Sequence, residues 1–373
     1  GLFDLFDLFS GGSFSNFTIF ALSITPYVTA SIIVQLLTTV FPYLQNLAKE
    51  GQAGRKKMAA ITRYTTVGLA LLQAVGLTIG LFNQAVVDKS AFSIISIVII
   101  LTAGTAFLMW LGERINDRGI GNGISILIFG GIVARIPTDI RAIWTKYSDG
   151  SMSIISILIF VIFAIAVVVG IIMVQQGTRK VPVQYAKRVV GRKMYGGQAT
   201  HIPVKVNQAG VIPVIFAMSI LQLPLTITYF LDSNSAVTSF VNRYLSVGAY
   251  PGVLVYTIID VILIIFFTYF YTTITFNPIE VANNMKQNGG FIPGIRPGKA
   301  TVTYISNVMS RLCLVGGIFL AVVAVLPTLV SNALDISNFR FGGTSLLILI
   351  GVALDTMKQL ESQMITRNYQ GFL

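Results

Sequence analysis

Nine long segments of this chain are almost free of charged residues, and they restrict what it can fold into. A helix needs about 20 residues to cross the ~30 Å hydrocarbon core of a bilayer. Eight segments suit spanning or near-spanning helices, whereas the fourth has only 16 residues before Arg135. The pattern predicts an all-α polytopic membrane protein. The segments are Asn16–Phe41, Tyr64–Val87, Ala91–Gly112, Gly119–Ala134, Met152–Val174, Gln208–Leu231, Leu245–Phe276, Leu312–Val330 and Phe341–Leu354.

The composition agrees with a membrane protein and argues against an enzyme. The chain is 54% hydrophobic and 11% charged, with a mean hydropathy of +0.78, whereas soluble domains are about 25% charged. Cys313 is its single cysteine and His201 its single histidine. Lone residues of these kinds build neither a disulfide framework nor the usual zinc or haem ligand sets. We therefore expect no enzymatic activity, no cofactor and no metal site.

A strongly basic segment separates the fifth and sixth apolar segments. The 33 residues 175–207 carry seven Lys or Arg, one His and no acid, within a chain of net charge +12. Such a charge is compatible with nucleic acid binding, but in a polytopic membrane protein the positive-inside bias explains it better. The segment also offers a docking surface for an anionic or protein partner.

The charge distribution predicts the orientation of the spans. If Gly119–Ala134 crosses the membrane, 20 of the 26 Lys and Arg lie on one side; if it does not, the split is 12 and 14. The positive-inside rule favours the first arrangement. We therefore predict nine helices, with residue 1 outside, the C-terminus in the cytoplasm, and loops 42–63, 175–207 and 277–300 cytoplasmic. An odd number with an external start predicts one more helix upstream, which gives ten in the complete protein.

Prolines in the first and sixth segments suggest two related halves. The first contains Pro26, and the sixth contains Pro213 and Pro224; P-x-[VI]-x-A recurs at Pro26–Ala30 and Pro213–Ala217. Proline removes a backbone donor and kinks a helix. Interrupted helices at matching places in inverted halves indicate a transport path.

The chain begins with an amphipathic pattern. Phe3, Phe6 and Phe9 recur every third residue, and Gly11 and Gly12 follow. This predicts a short helix ended by glycines. It either lies on the lipid surface or folds back into a central cavity.

Seven sequence motifs are spread along the whole chain. They are Leu8–Gly12, Pro26–Ile33, Glu50–Lys56, Arg118–Ser125, Gly210–Pro213, Gly290–Gly298 and Phe341–Leu347. In this order and at this spacing they resemble those of the SecY family, the channel subunit of the bacterial protein translocase. Two features depart from the family: the first helix is absent, and Asp260 stands within an apolar segment.

The resemblance implies two inverted five-helix halves around a central pore. It divides the chain into an external plug segment 1–16, an N-terminal half 17–144, an external hinge 145–151 and a C-terminal half 152–373, whose cytoplasmic loops are 175–207 and 277–300. Such a channel passes unfolded secretory polypeptides across the plasma (inner) membrane and releases transmembrane segments laterally into lipid.

The resemblance also implies the residues of the pore. Its plug carries Phe3, Phe6 and Phe9, and its lateral gate, between the first and sixth spans, contains Gln35 and Asn207. Weak polar contacts suit a seam that must open, since intramembrane hydrogen bonds average about 0.6 kcal/mol. An aliphatic ring blocks ions because an apolar constriction dewets. The ring residues are Ile24, Val28, Ile128, Ile132, Ile215 and Ile348.

The cytoplasmic loops resemble the family's docking sites. Arg296 precedes Pro297, which biases it towards extended structure, and a guanidinium on a rigid tip suits bidentate contacts to carboxylate or phosphate. The implied partners are the small subunits SecE and SecG, the ATPase motor SecA and the RNA of the ribosome. The other implied docking residues are Lys187, Arg188, Arg192 and Lys193.

A secondary transporter for a small solute is the alternative interpretation. Transporters are also built from inverted repeats, but they usually carry polar or ionisable ligands at mid-depth. Asp260 is nearly the only residue of this kind in the apolar segments, and we expect it to contact a neighbouring helix or a partner subunit. Gly119–Gly123 superficially resembles a phosphate loop but lacks the G-K-[ST] ending, so a tight turn at a helix start explains it.

Overall fold

The computed structural model describes most of the chain. The described residues are 11–14, 16–82, 86, 88–150, 153–185, 188–190, 193–195, 199–228, 231, 235–245, 252–333 and 343–369.

Helices dominate the described part of the chain, and each predicted apolar segment overlaps one of them. The first five are α1 (Thr25–Val40), α2 (Pro42–Lys49), α3 (Gly51–Gly76), which continues as a π-helical turn (Leu77–Leu81), α4 (Ala91–Arg118) and α5 (Gly123–Ser148). The others are α6 (Ile154–Gln176), α7 (Ile212–Thr228), α8 (Ala236–Tyr244), α9 (Gly252–Thr275), α10 (Pro278–Gln287), α11 (Lys299–Ala333) and α12 (Gly343–Tyr369).

Seven helices in the described ranges are long and apolar enough to cross a membrane, which confirms a multi-pass membrane protein. They are α3 with its π-helical turn, α4, α5, α6, α9 together with α10, α11 and α12. The pair α1 and α2 also qualifies, but it bends by 102° at the break between the two helices. Helix α7 has only 17 residues. The arrangement of nine spans stays a prediction.

The short fourth segment belongs to one of the seven long helices. Helix α5 has 26 residues and continues past the charged positions, with Arg135 and Asp139 buried. The Asn122 side chain caps its start by accepting hydrogen bonds from the N–H groups of Ile124 and Ser125 at 3.1 and 3.3 Å. A side chain at Gly123 would collide with the carbonyl oxygen of Gly112. The glycine-rich motif is therefore a tight turn before a closely packed helix, as predicted.

The basic loop forms β-strands, which the all-α prediction missed. Strand β1 (Thr178–Tyr185) pairs antiparallel with β4 (Ala199–Lys205), from Thr178 opposite Lys205 to Gln184 opposite Ala199. On the other edge of β1, Gln184 pairs with Phe291 of β5 (Gly290–Phe291). Strands β2 (Arg188–Val190) and β3 (Lys193–Tyr195) form a separate pair.

A compact apolar cluster fixes the three-stranded sheet on the helices. Val181 and Val183 are buried while their neighbours on β1 are exposed, which is the alternation expected of a half-buried strand. We call the group the sheet cluster. Its buried members are Val181, Val183, Val204, Ala282, Met285, Ile292, Ile305 and Met309, from β1, β4, α10, the turn after β5, and α11.

Candidate functional site

The six aliphatic residues predicted to form a ring lie in one buried cluster. They come from the residue before α1 and from α1, α5, α7 and α12, and none is more than 9% exposed. Four of them, together with Thr25 and Ser219, line a void of about 10 Å³. That volume is at the lower limit for one water molecule. We call the six the collar: Ile24, Val28, Ile128, Ile132, Ile215 and Ile348.

The repeated proline motif marks where two collar helices begin. Pro26 lies in the first turn of α1 and Pro213 in the first turn of α7. At that position the missing N–H costs no helical hydrogen bond, and the fixed φ angle favours helix initiation. The expectation that these two prolines interrupt a helix was therefore wrong. Of these three prolines, Pro224 is the one that lies inside its helix.

Two cavities lie at the end of the helices nearest to the sheet, and the smaller of them borders the collar. The smaller, of about 170 Å³, is bounded by collar residues Val28, Ile128 and Ile215 and by polar residues that include Ser31 and Gln35. The larger, of about 430 Å³, has both polar and apolar lining residues, and we call it the sheet-end cavity. Both are lined by Asn122, Ser125, Ile212 and Tyr271. Along α1 and α5, the residues that line the site therefore change from aliphatic to polar within one or two helical turns.

The two residues predicted for the lateral gate line different cavities. Gln35 lines the smaller cavity and Asn207 the sheet-end cavity. Asn207 is buried, and its Nδ2 donates a hydrogen bond to the carbonyl of Gly210 at 3.0 Å. Helices α1 and α7, the predicted gate helices, pack against each other.

The predicted plug residues Phe3, Phe6 and Phe9 lie outside the described residues, but the chain directly after them is described. A Cβ atom at Gly11 would lie 3.4 Å from the backbone of Gly131, the neighbour of collar residue Ile132. Phe14 is buried, with its ring 5.5 Å from that of Phe82. The start of the described chain therefore packs next to the collar helix α5.

Arg296 projects from a turn that the sheet cluster fixes. The residue is exposed, whereas Ile292 is buried in the cluster and Ile295 packs against it. The Ile295 N–H donates to the Ile292 carbonyl at 3.0 Å, and Thr301 Oγ1 donates to the Arg296 carbonyl at 3.0 Å. These contacts hold the backbone on both sides of the guanidinium. We call residues 292–298 the tip.

The other predicted docking residues are described only in part. Lys187 and Arg192 lie outside the described residues. The backbones of Arg188 and Lys193 lie in β2 and β3.

Asp260 lies on the buried face of α9 together with Ile264 and Phe267. Its contact with a neighbouring helix or a partner subunit stays a prediction. Within the described part of the chain, its Oδ1 atom has no hydrogen-bond partner. The described residues contain no group of three or more His, Cys, Asp or Glu that could hold a metal ion.

Sequence reasoning missed two polar contributions to the site. Gln359 of α12 accepts a hydrogen bond through Oε1 from the Gly121 N–H at 2.7 Å, which joins residues 238 positions apart. Gln175, at the end of α6, lines the sheet-end cavity. Neither residue stands out in the sequence, because glutamine is common in helices and the groups that these two approach are distant along the chain.

A family model described as SecY matches residues 18–357. The chain belongs to the SecY family. Protein translocase subunits SecY from Mycobacterium bovis and Mycobacterium tuberculosis are 50% identical to it over all of this chain and 87% of theirs. The subunit from Streptomyces galbus is 49% identical over the same shares.

Solved structures share the SecY fold with this chain at low identity. One described as a protein conducting channel has a TM-score of 0.66 at 19% identity and covers 94% of this chain and 82% of its own. Sec61 in a canine ribosome-channel complex has a TM-score of 0.62 at 18% identity, with the same coverage. The predictions of the family and of a translocation channel are confirmed.

Proposed function

We propose that this chain is the channel-forming subunit of a protein translocase in the plasma membrane. It passes unfolded secretory polypeptides across the bilayer and releases transmembrane segments sideways into lipid. Membership of a family whose relatives are named translocase subunits supports this function. It also supports the prediction that the chain is not an enzyme. The observation that carries the proposal is the collar, because its six aliphatic side chains converge from separate helices.

The collar forms the seal of the resting channel. A narrow apolar constriction loses its water and thereby blocks ions. Flexible aliphatic side chains can still part around a polypeptide, because side-chain packing alone holds them together. The six members therefore suit a barrier that opens for a chain of any sequence.

Three further elements belong to the opening of the channel. Helices α1 and α7 form the lateral gate, with Gln35 and Asn207 on its polar side. Residues 1–16 form the plug, and the close approach of Gly11 to Gly131 supports this role because Gly131 is the neighbour of collar residue Ile132. Residues 145–151 form the hinge between two inverted halves, 17–144 and 152–373, of which the nine predicted spans are part.

The sheet side of the protein faces the cytoplasm and receives the partners. This orientation places loops 42–63, 175–207 and 277–300 on that side. The exposed Arg296 on its braced tip suits charge-assisted contacts to an anionic partner, together with Lys187, Arg188, Arg192 and Lys193. The partners are the SecA motor and the ribosome, and the similar ribosome-bound Sec61 structure supports the latter. The subunits SecE and SecG complete the channel.

The alternative of a small-solute transporter is not favoured. A transporter needs convergent polar ligands at mid-depth. In the described part of this chain, the residues that converge at the collar are six aliphatic side chains in one buried cluster. Asp260 lies on α9, which contributes no collar residue.

Crosslinking an arrested polypeptide to the collar tests the proposal. A secretory polypeptide halted during translocation should form disulfides with a cysteine at Ile128 or Ile215. A cysteine at Ile258 or Ile262 of α9, both exposed, is the matched control and should not react. Equal reaction at both pairs of positions, or reaction at the control pair alone, would place the polypeptide outside the collar and refute the pore.

A further inference from the structure

Two buried amide groups in the wall of the sheet-end cavity lack hydrogen-bond partners. The Nε2 atom of Gln175 is a donor, the Oδ1 atom of Asn207 is an acceptor, and both atoms are shielded from solvent. Buried polar groups are normally paired, so a specific exception calls for a ligand or an ordered water. One free donor and one free acceptor in the same cavity are the complement of a peptide group.

The surrounding backbone fixes where these two amides lie. The Gln175 amide passes over Gly351 of α12, where a Cβ atom would lie 3.1 Å from Nε2. Any larger residue at Gly351 would therefore displace the amide. Asn207 is held from the other end, because its Nδ2 already donates to the Gly210 carbonyl, which leaves Oδ1 as its free group.

The charges of the cavity indicate the kind of ligand. Lys205, Lys358 and Asp355 line it, and all three are exposed. The two polar atoms that are shielded from solvent belong to neutral amides instead. A site for a phosphate or a metal ion would place charge of one sign at its buried end. Neutral donors and acceptors at depth favour a neutral polar ligand.

We propose that Gln175 and Asn207 bind the backbone of a polypeptide that enters the channel. The Gln175 amide donates to a backbone carbonyl of the polypeptide, and the Asn207 Oδ1 accepts from a backbone N–H. Every residue type except proline offers both groups, so this contact does not depend on the side chains. The inference rests on the proposed function and deepens it by naming residues that hold the substrate before the collar.

Disulfide crosslinking beside the site tests this binding. The complete translocase in vesicles, with a cysteine at Gln208 in the cavity wall, is loaded with an arrested secretory polypeptide carrying single cysteines. Gln175→Met keeps the length of the side chain but removes its amide. It should lower the crosslinking yield about three- to tenfold, the size expected from one or two lost hydrogen bonds. Gln176→Met is the matched control, since Gln176 is exposed and lines neither cavity; it should leave the yield unchanged.

A second arm leaves the protein unaltered. An ester in place of one peptide bond in the polypeptide removes the N–H group that would donate a hydrogen bond to Asn207 Oδ1. It should lower the yield at that position by a similar factor, whether or not Gln175→Met folds. If Gln175→Met and Gln176→Met give the same crosslinking yield, and the ester gives the same yield as the peptide bond, water alone fills the cavity. That result would overturn the backbone site. Absence of any translocation by the wild-type translocase would instead refute the proposed function.

Discussion

The collar and the sheet cluster are equally well buried, yet they are built differently. Each borders a void of about 10 Å³, so their packing is similarly tight. The collar joins separate helices through side chains alone, with a cavity of about 170 Å³ beside it. In the sheet cluster, a ladder of backbone hydrogen bonds between β1, β4 and β5 supports the side chains. Burial alone therefore does not distinguish a barrier that opens from a support that stays fixed.

The largest effect is expected from emptying the collar. Replacing both Ile128 and Ile215 with Ala removes buried side chains, at a cost of about 2–5 kcal/mol each in the free energy of unfolding. We expect the resting channel to conduct ions, because the constriction then admits water. Conductance in planar bilayers and thermal unfolding measure the two effects.

The control for the collar is an exposed pair with the same chemistry. Ile258→Ala together with Ile262→Ala removes as many carbon atoms from the surface of α9. This variant should stay tight, with a change in stability below about 1 kcal/mol. A tight collar variant, or an equally leaky control, would contradict the assignment of the seal.

A change at the tip should have the opposite effect to a change in the collar: partner binding is lost while the ion seal is kept. Arg296→Glu should abolish motor-driven export while ion tightness and stability stay unchanged, since the side chain is exposed and the tip packs on a different cluster from the collar. Reversing an interface charge costs about 2–5 kcal/mol in binding. ATP-dependent translocation into vesicles, with motor binding in parallel, is the measurement.

Arg296→Lys separates the role of the charge from that of its shape. It should restore export only partly, because an ammonium group does not reproduce the planar fork of a guanidinium. Normal export by Arg296→Glu would move the docking role to Lys187, Arg188, Arg192 and Lys193.

A smaller effect is expected in the sheet cluster. Val183→Ala removes a fully buried side chain from β1 and should lower the free energy of unfolding by about 2 kcal/mol. Because the cluster supports the tip, motor binding should weaken while conductance stays unchanged. Val237→Ala, at an exposed position of α8, should change neither. A leak in Val183→Ala would show that the two clusters are not independent.

The smallest effect is expected when a collar residue keeps its apolar character. Ile132→Val removes one methyl group and should cost about 0.5–1.5 kcal/mol. The channel should remain tight, because the loss of one methyl group leaves the constriction both narrow and apolar. A leak in this variant would mean that close packing, rather than apolar character, makes the seal.

The sequence predicts the helices well because each is a long apolar run that differs from the rest of the chain. Even the short segment Gly119–Ala134 is assigned correctly, since counting the charges of distant loops compensates for its weak signal. The strands were missed because the charges of residues 175–207 obscured the alternation at Val181 and Val183. The collar was found only through family resemblance, since isoleucine in a membrane helix usually contacts lipid or core. Gln175 and Gln359 could not be predicted, because their roles depend on which distant backbone they approach.

The hydrogen bond between Gly121 and Gln359 allows the separation of the two proposed halves to be measured by amide hydrogen exchange. An amide proton held by one partner exchanges with solvent deuterium only when that partner leaves. Since Gly121 belongs to the first proposed half and Gln359 to the second, the exchange rate at Gly121 measures how often the two halves separate at this end. Isotope labelling of this single glycine would therefore time the opening of the resting protein without any attached probe.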